Sequence, residues 1–90
     1  MRADADKIMR LLKTARGQID GIMKMVKADE YCMNISHQVL SCEAILRKAN
    51  KEIVRCHMHG CVKEALKSNS EELADRNIDE LTKLIDKMSK

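Results

Sequence analysis

The sequence predicts an all-α protein, and three observations predict it. The chain has no proline and three glycines in 90 residues, so long uninterrupted helices are permitted. Its apolar residues recur at steps of three and four, the period of a helix with one buried face. Aromatic residues are nearly absent, with one tyrosine and no phenylalanine or tryptophan, so the core must come from Ile, Leu, Val, Met and Ala. Such a length makes one small domain, expected to span residues 1–90. A chain of this size buries a modest fraction of its surface, and a partner subunit, a metal or both would supply what the monomer lacks.

The first helix is set by Ile8, Leu11, Leu12, Ala15, Ile19, Ile22 and Val26, about six turns of amphipathic spacing. Gly17 and Gly21 lie inside it, four apart. Glycine is costly in a helix interior, so the pair suggests close helix packing. The helix should fray near Lys27 and Ala28, ahead of the acidic joint "ADEYC". From about Glu30 to Ser68 the only glycine is Gly60, and the spacing predicts one helix of about 36 residues or two collinear ones. "KSNSEE" is a polar break with capping residues. Asn77 with Glu80 three positions on reads as a capping box for a short last helix carrying Leu81, Leu84 and Ile85. No internal repeat, low-complexity tract or second domain is present.

The formal charge of +3 is mild and does not by itself announce a nucleic-acid binder. No apolar run reaches the ~18 residues of a membrane span. "MRADADKIMR" lacks the apolar stretch of a secretory signal. The expected location is cytoplasmic, where four cysteines stay reduced and serve metal or redox chemistry rather than disulfides.

The stretch "EIVRCHMHGC", residues 52–61, places two cysteines and two histidines within six positions. On a helical wheel with Cys32 at zero, His57 falls at about 340° and Cys61 at about 20°. Ile35, Val39, Leu46 and Ile53 flank this stripe at roughly 300° to 340°. Cys42, Cys56 and His59 lie at about 280°, 240° and 180°. His57 and Cys61, one turn apart, can chelate one ion together. Cys32 sits about 43 Å from Cys61 along the axis and cannot reach that ion within one straight helix. An antiparallel copy would bring Cys32 of one chain to His57 and Cys61 of another, twice per dimer. Two thiolates and one imidazole form a soft, low-coordinate set that suits Cu(I), whereas Zn(II) usually takes a fourth ligand. Cys42 and Cys56 read as structural thiols, His37 and His59 as solvated, and Met9, Met23, Met25 and Met33 as adaptable packing.

"ARGQIDGI" in the first helix, "YC" at the joint, Gln38 six residues past Cys32, and the H-x3-C pair after "EIVRC" together resemble the copper-sensitive operon repressor (CsoR/RcnR) family of bacterial metal- and thiol-sensing repressors. The spacing of Cys32, His57 and Cys61 is similar to that of its copper-sensing branch. The resemblance implies a three-helix protomer, an antiparallel four-helix-bundle dimer and a flat tetramer. It implies a repressor that binds double-stranded operator DNA in the apo form. One Cu(I) per protomer, held by Cys32 of one chain and His57 and Cys61 of the next, would release the DNA and derepress copper-resistance genes. Tyr31 and Glu80 would support the histidine, and Gln18 would contact DNA. Leu11 and Thr14 stand where the family commonly has basic residues, with Arg10, Lys13 and Arg16 nearby.

The expected DNA face combines Arg10, Lys13 and Arg16, with Lys7, on the first helix and Arg47, Lys48 and Lys51, with Arg55, on the second. Repetition in an oligomer would turn these patches into a broad phosphate-binding surface. Two rival readings stand beside the copper sensor. One is a persulfide- or thiol-sensing repressor using Cys32 and Cys61, and the other is a copper buffer or trafficking protein with no DNA role. No nucleophile–base pair or phosphate loop is present, so an enzyme is not expected.

Overall fold

The computed structural model describes residues 4–88, apart from the side chains of residues 61 and 62. Three helices follow one another: α1 (Ala5–Lys27), α2 (Cys32–Ser68) and α3 (Glu71–Met88). The first two form an antiparallel hairpin, and α3 folds back on the C-terminal part of α2.

Asp4 caps α1, its carboxylate accepting the backbone N–H of Lys7 at 3.2 Å, which satisfies a donor that the helix itself cannot. At the other end, Glu30 N–H donates to Met25 C=O and Asp29 N–H to Val26 C=O, each at 3.1 Å. This is a Schellman ending, with Asp29 in the left-handed conformation (φ 54°) usually taken by glycine. Four residues later the chain re-enters helix at Cys32. Its 37 residues extend about 55 Å, and no proline interrupts them. Asn69, again left-handed at φ 52°, ends α2 and turns the chain toward α3.

The last helix begins earlier than the sequence reading placed it. Ser70, not Asn77, is the cap: its hydroxyl accepts the N–H of Leu73 at 3.2 Å. Glu71 and Glu72 occupy the first turn, where carboxylates complement the helix dipole. Leu73, Ala74, Asn77, Leu81 and Leu84 are all half-buried. The inward stripe therefore starts at Leu73, and Asn77 is a member of it rather than its boundary.

The hairpin core is thin. Ile8 and Ala15 from α1 meet Cys42 and Ala49 from α2, and these are the buried apolar residues among those described. Burying Ile8 contributes about 2 kcal/mol. The Cys42 thiol donates to the Ala15 carbonyl at 3.7 Å. On α2 the buried stripe is thus the one holding Cys42 and Ala49. The Cys32–Val39–Leu46 stripe beside it is uncovered, with Val39 39% and Leu46 43% exposed. On α1, Leu12, Ile19, Met23 and Val26 are likewise exposed. Gly17 and Gly21 do not make the close contact expected of them, since a methyl group at either would meet nothing within 4 Å. The helices of one protomer approach on a different face.

Candidate metal and nucleic-acid sites

Cys32 is the first residue of α2 and is exposed. Tyr31, just before it, is 68% exposed. His57 lies 25 residues on, about 38 Å along the same helix. Its Nε2 is 3.6 Å from Glu80 Oε2 on α3. Of the two expected supports for the histidine, the fold brings Glu80 to it and leaves Tyr31 at the far end of α2. Cys61 is in α2 one turn after His57, but its side chain lies outside the described residues. Among the described residues, no three His, Cys, Asp or Glu side chains converge within one protomer in a way that could hold a metal ion. The separation of Cys32 from His57 explains this. Two donors at opposite ends of one rigid helix cannot share an ion unless a second chain supplies one of them.

The donor types fit Cu(I). A thiol and an imidazole on exposed positions can be deprotonated and reached without unfolding, and soft sulfur selects a soft monovalent ion. Cys42, enclosed against Ala15, belongs to the core. Cys56 is half-buried, with its thiol donating to Glu52 Oε1 at 3.6 Å. His37 and His59 are exposed.

Beside His57, α2 and α3 enclose an open groove of about 960 Å³ lined by Ile53, Val54, Met58, Leu66, Ile78 and Leu81 among others. Its walls are mostly apolar, and Leu66 and Ile78 are 78% and 60% exposed. The histidine therefore sits where α3 meets α2, and its contact to Glu80 is one of the polar ties across an otherwise apolar junction.

The expected DNA face is spread over the outer surfaces of the hairpin. Arg10, Lys13 and Arg16 on α1 and Arg47, Lys48 and Lys51 on α2 are all exposed. Arg47 pairs with Glu43 one turn earlier at 3.6 Å, both side chains more than half exposed. Such a pair is weak enough to yield to a phosphate. Gln18 is different, being half-buried with an enclosed amide oxygen that has no hydrogen-bond partner. It must turn outward to meet a base.

Sequence reasoning missed Glu52. This residue is buried, with Lys7 Nζ 3.3 Å from its Oε2 and Arg55 Nη2 2.7 Å from its Oε1. The hydrogen bond from Arg55, followed by that from Lys7, outweighs burial and holds its carboxyl at a pKa of about 2. Lys7 and Arg55, both counted toward the basic face, are thus committed to a carboxylate.

With the fold and the donor positions in place, relatives can be compared. The family described as metal-sensitive transcriptional repressors matches residues 4–87. The chain belongs to that family. It is 34% identical over 87 residues to the copper-sensing transcriptional repressor CsoR of Bacillus subtilis (strain 168), covering 97% of this chain and 83% of that one. It is 34% identical over 55 residues to CsoR of Mycobacterium tuberculosis (strain ATCC 25618 / H37Rv), a match spanning 61% of this chain and 46% of the relative. The crystal structure of the copper-sensing repressor CsoR with Cu(I) from Geobacillus thermodenitrificans NG80-2 superimposes with a TM-score of 0.78 at 33% identity. That match covers 94% of this chain and 85% of the Geobacillus one. As a family member the chain is a transcriptional repressor rather than an enzyme. No helix among the described residues is long and apolar enough to cross a membrane.

Proposed function

We propose that this chain is a cytoplasmic Cu(I)-responsive repressor that binds operator DNA in its metal-free form and releases it when Cu(I) binds. The observation that carries the reading is the placement of Cys32 and His57 on uncovered positions at opposite ends of one rigid helix. It is supported by identity of about a third to copper-sensing repressors across nearly the whole chain.

The site is shared between protomers. Cys32 of one chain, with His57 and Cys61 of another, holds one Cu(I) per protomer. The uncovered apolar stripe of α2 supplies the contact that makes this possible, since Val39, Leu46 and Ile53 lie on the ligand side of the helix and remain at least about a third exposed. Pairing these stripes antiparallel around α1 and α2 gives a four-helix bundle, and it buries surface that a protomer with four buried apolar residues leaves in water. Two such dimers form the tetramer. The Cu(I) ion supplies a fixed link between thiolates and imidazole. The protein supplies the consequence: His57 is drawn toward the partner's α2 while its other nitrogen stays directed to Glu80, so α3 is repositioned with it.

The apo form holds DNA through Arg10, Lys13, Arg16, Arg47, Lys48 and Lys51, with Gln18 turned outward to a base. These are mainly phosphate contacts, and their geometry depends on how the protomers are arranged. Copper and DNA favour different arrangements, so each weakens the other by the same factor. A reporter driven by the chain's own promoter tests this in cells. Expression of the protein should silence it, added copper should restore it, and added zinc or nickel should not. Restoration by polysulfide but not by copper would favour the thiol-sensing alternative instead.

A further inference from the structure

The two ends of the α1–α2 hairpin are held by different means. At one end residues 28–31 join the helices covalently. At the open end Ile8 is buried and, beside it, Lys7 bonds to Glu52 at 3.3 Å. Arg55 closes on the same carboxylate from within α2, with Nη2 at 2.7 Å from Oε1 and Nε at 3.4 Å from Oε2. A carboxylate gripped from two sides in a partly dry setting has a defined geometry, unlike an exposed pair.

Its place in α2 is informative. Glu52 and His57 are five residues apart, about 140° around the helix. Glu52 faces α1. Ile53, Val54, His57 and Met58 line the groove toward α3. The same two turns of α2 therefore carry the open end of α1 on one side and the histidine with its Glu80 contact on the other. On α1, Lys7 lies one turn before Arg10 and less than two before Lys13, in the part of the helix assigned to phosphate contact.

We propose that Glu52 is a positioning residue that, through Lys7, fastens the Arg10–Lys13 end of α1 to the turns of α2 that carry His57, so that a rearrangement at His57 moves the DNA-facing end of α1 with it. The proposal rests on the copper-responsive reading above. The operative bond is the interhelical one to Lys7, while Arg55 keeps the carboxylate oriented. Without the bond, α2 can answer the metal while the end of α1 opens on its own, and the two binding events lose their linkage.

Two variants separate this from a merely structural role. Lys7→Met removes the interhelical bond at a partly exposed position, and Glu52→Gln removes the charge at constant shape. In metal-free protein, hydrogen exchange of the amides of residues 8–12 should be faster in both variants by about fivefold or more, with residues 18–24 unchanged. Unchanged exchange near residue 8 would overturn the proposed fastening whatever the protein's function. Cu(I) affinity by chelator competition should stay within about threefold of wild type, while the ratio of operator affinities without and with Cu(I) should fall by about tenfold. Arg55→Met should reduce that ratio less than Lys7→Met does. Wild-type coupling that survives in both Lys7→Met and Glu52→Gln overturns the proposal alone. A wild-type ratio of one brings down the copper-responsive reading, and the proposal with it.

Discussion

His57 Nε2 on α2 lies 3.6 Å from Glu80 Oε2 on α3. Both side chains are more than half exposed, so the pair adds little stability by itself. Its importance is directional. A histidine with one nitrogen turned toward an α3 carboxylate presents its other nitrogen, Nδ1, to a metal, and any pull on the ring is passed to α3. Two thiolates alone can hold Cu(I), so His57→Ala and Glu80→Gln should each keep much of the copper affinity but release DNA poorly. Chelator competition and operator titration on the same variants check this. Full release from either variant would reduce His57 to a ligand and Glu80 to a bystander.

The ligand set has its own signature. X-ray absorption of the Cu(I) protein should show two sulfurs and one nitrogen at about one copper per protomer. Cys32→Ala and Cys61→Ala should each lower affinity by orders of magnitude, and His59→Ala should not. Cys42→Ala should cost about 1–2 kcal/mol of stability, because it empties a core position, and leave copper affinity intact. Three sulfurs in the absorption spectrum would implicate Cys42 or Cys56 and contradict the assignment.

Glu52 gives the protein an acid-sensitive contribution to stability. The bond from Arg55, then that from Lys7, lowers its pKa from 4.5 to about 2 in the folded chain. A depressed carboxylate stabilises the fold fully above its unfolded pKa, and that stabilisation is lost as pH falls toward the folded value. The stability difference between wild type and Glu52→Gln should hold steady from about pH 7 to about pH 5 and shrink between pH 4.5 and about 2. Urea unfolding at a series of pH values measures it. A difference that grows on acidification would contradict the ion pairing.

DNA affinity should fall steeply with salt, because phosphate contacts dominate a surface built from Arg and Lys. Neutralising Arg10, Lys13, Arg16 and Arg47 together should lower affinity and flatten the slope of log affinity against log salt by about four. An unchanged slope would place the DNA elsewhere on the molecule.

The helices were legible in the sequence because their signals are local. The spacing from Ile8 to Val26 and the proline-free run after Glu30 fall within a residue or two of the boundaries observed. The start of α3 was missed because Ala74, Asp75 and Arg76 dilute its apolar period, which made Asn77 look like a boundary. The ligand stripe could be placed on a wheel because Cys32 and His57 share one straight helix. What a wheel cannot give is which of two neighbouring apolar stripes the same chain covers. Cys42 and Ala49 turned out to face α1, leaving Val39 and Leu46 for a partner. Glu52 did carry a signal, as the charged residue that interrupts the stripe of Cys42, Ala49 and Cys56. Its partner Lys7 is 45 positions away, beyond the reach of local pattern. Gly17 and Gly21 misled for a related reason, since their cost in a helix says that something favours them but not where it lies.

The central claim is that copper and operator DNA compete through one set of helices. The measurement that tests it most directly is the fluorescence anisotropy of a labelled duplex from the chain's own promoter, titrated with protein at fixed salt, with and without one equivalent of Cu(I) per protomer. The account predicts tight binding by the apo protein and affinity weakened by copper by about tenfold or more, with full recovery when a Cu(I) chelator is added. Equal affinity in both titrations, or tighter binding with copper, would contradict it.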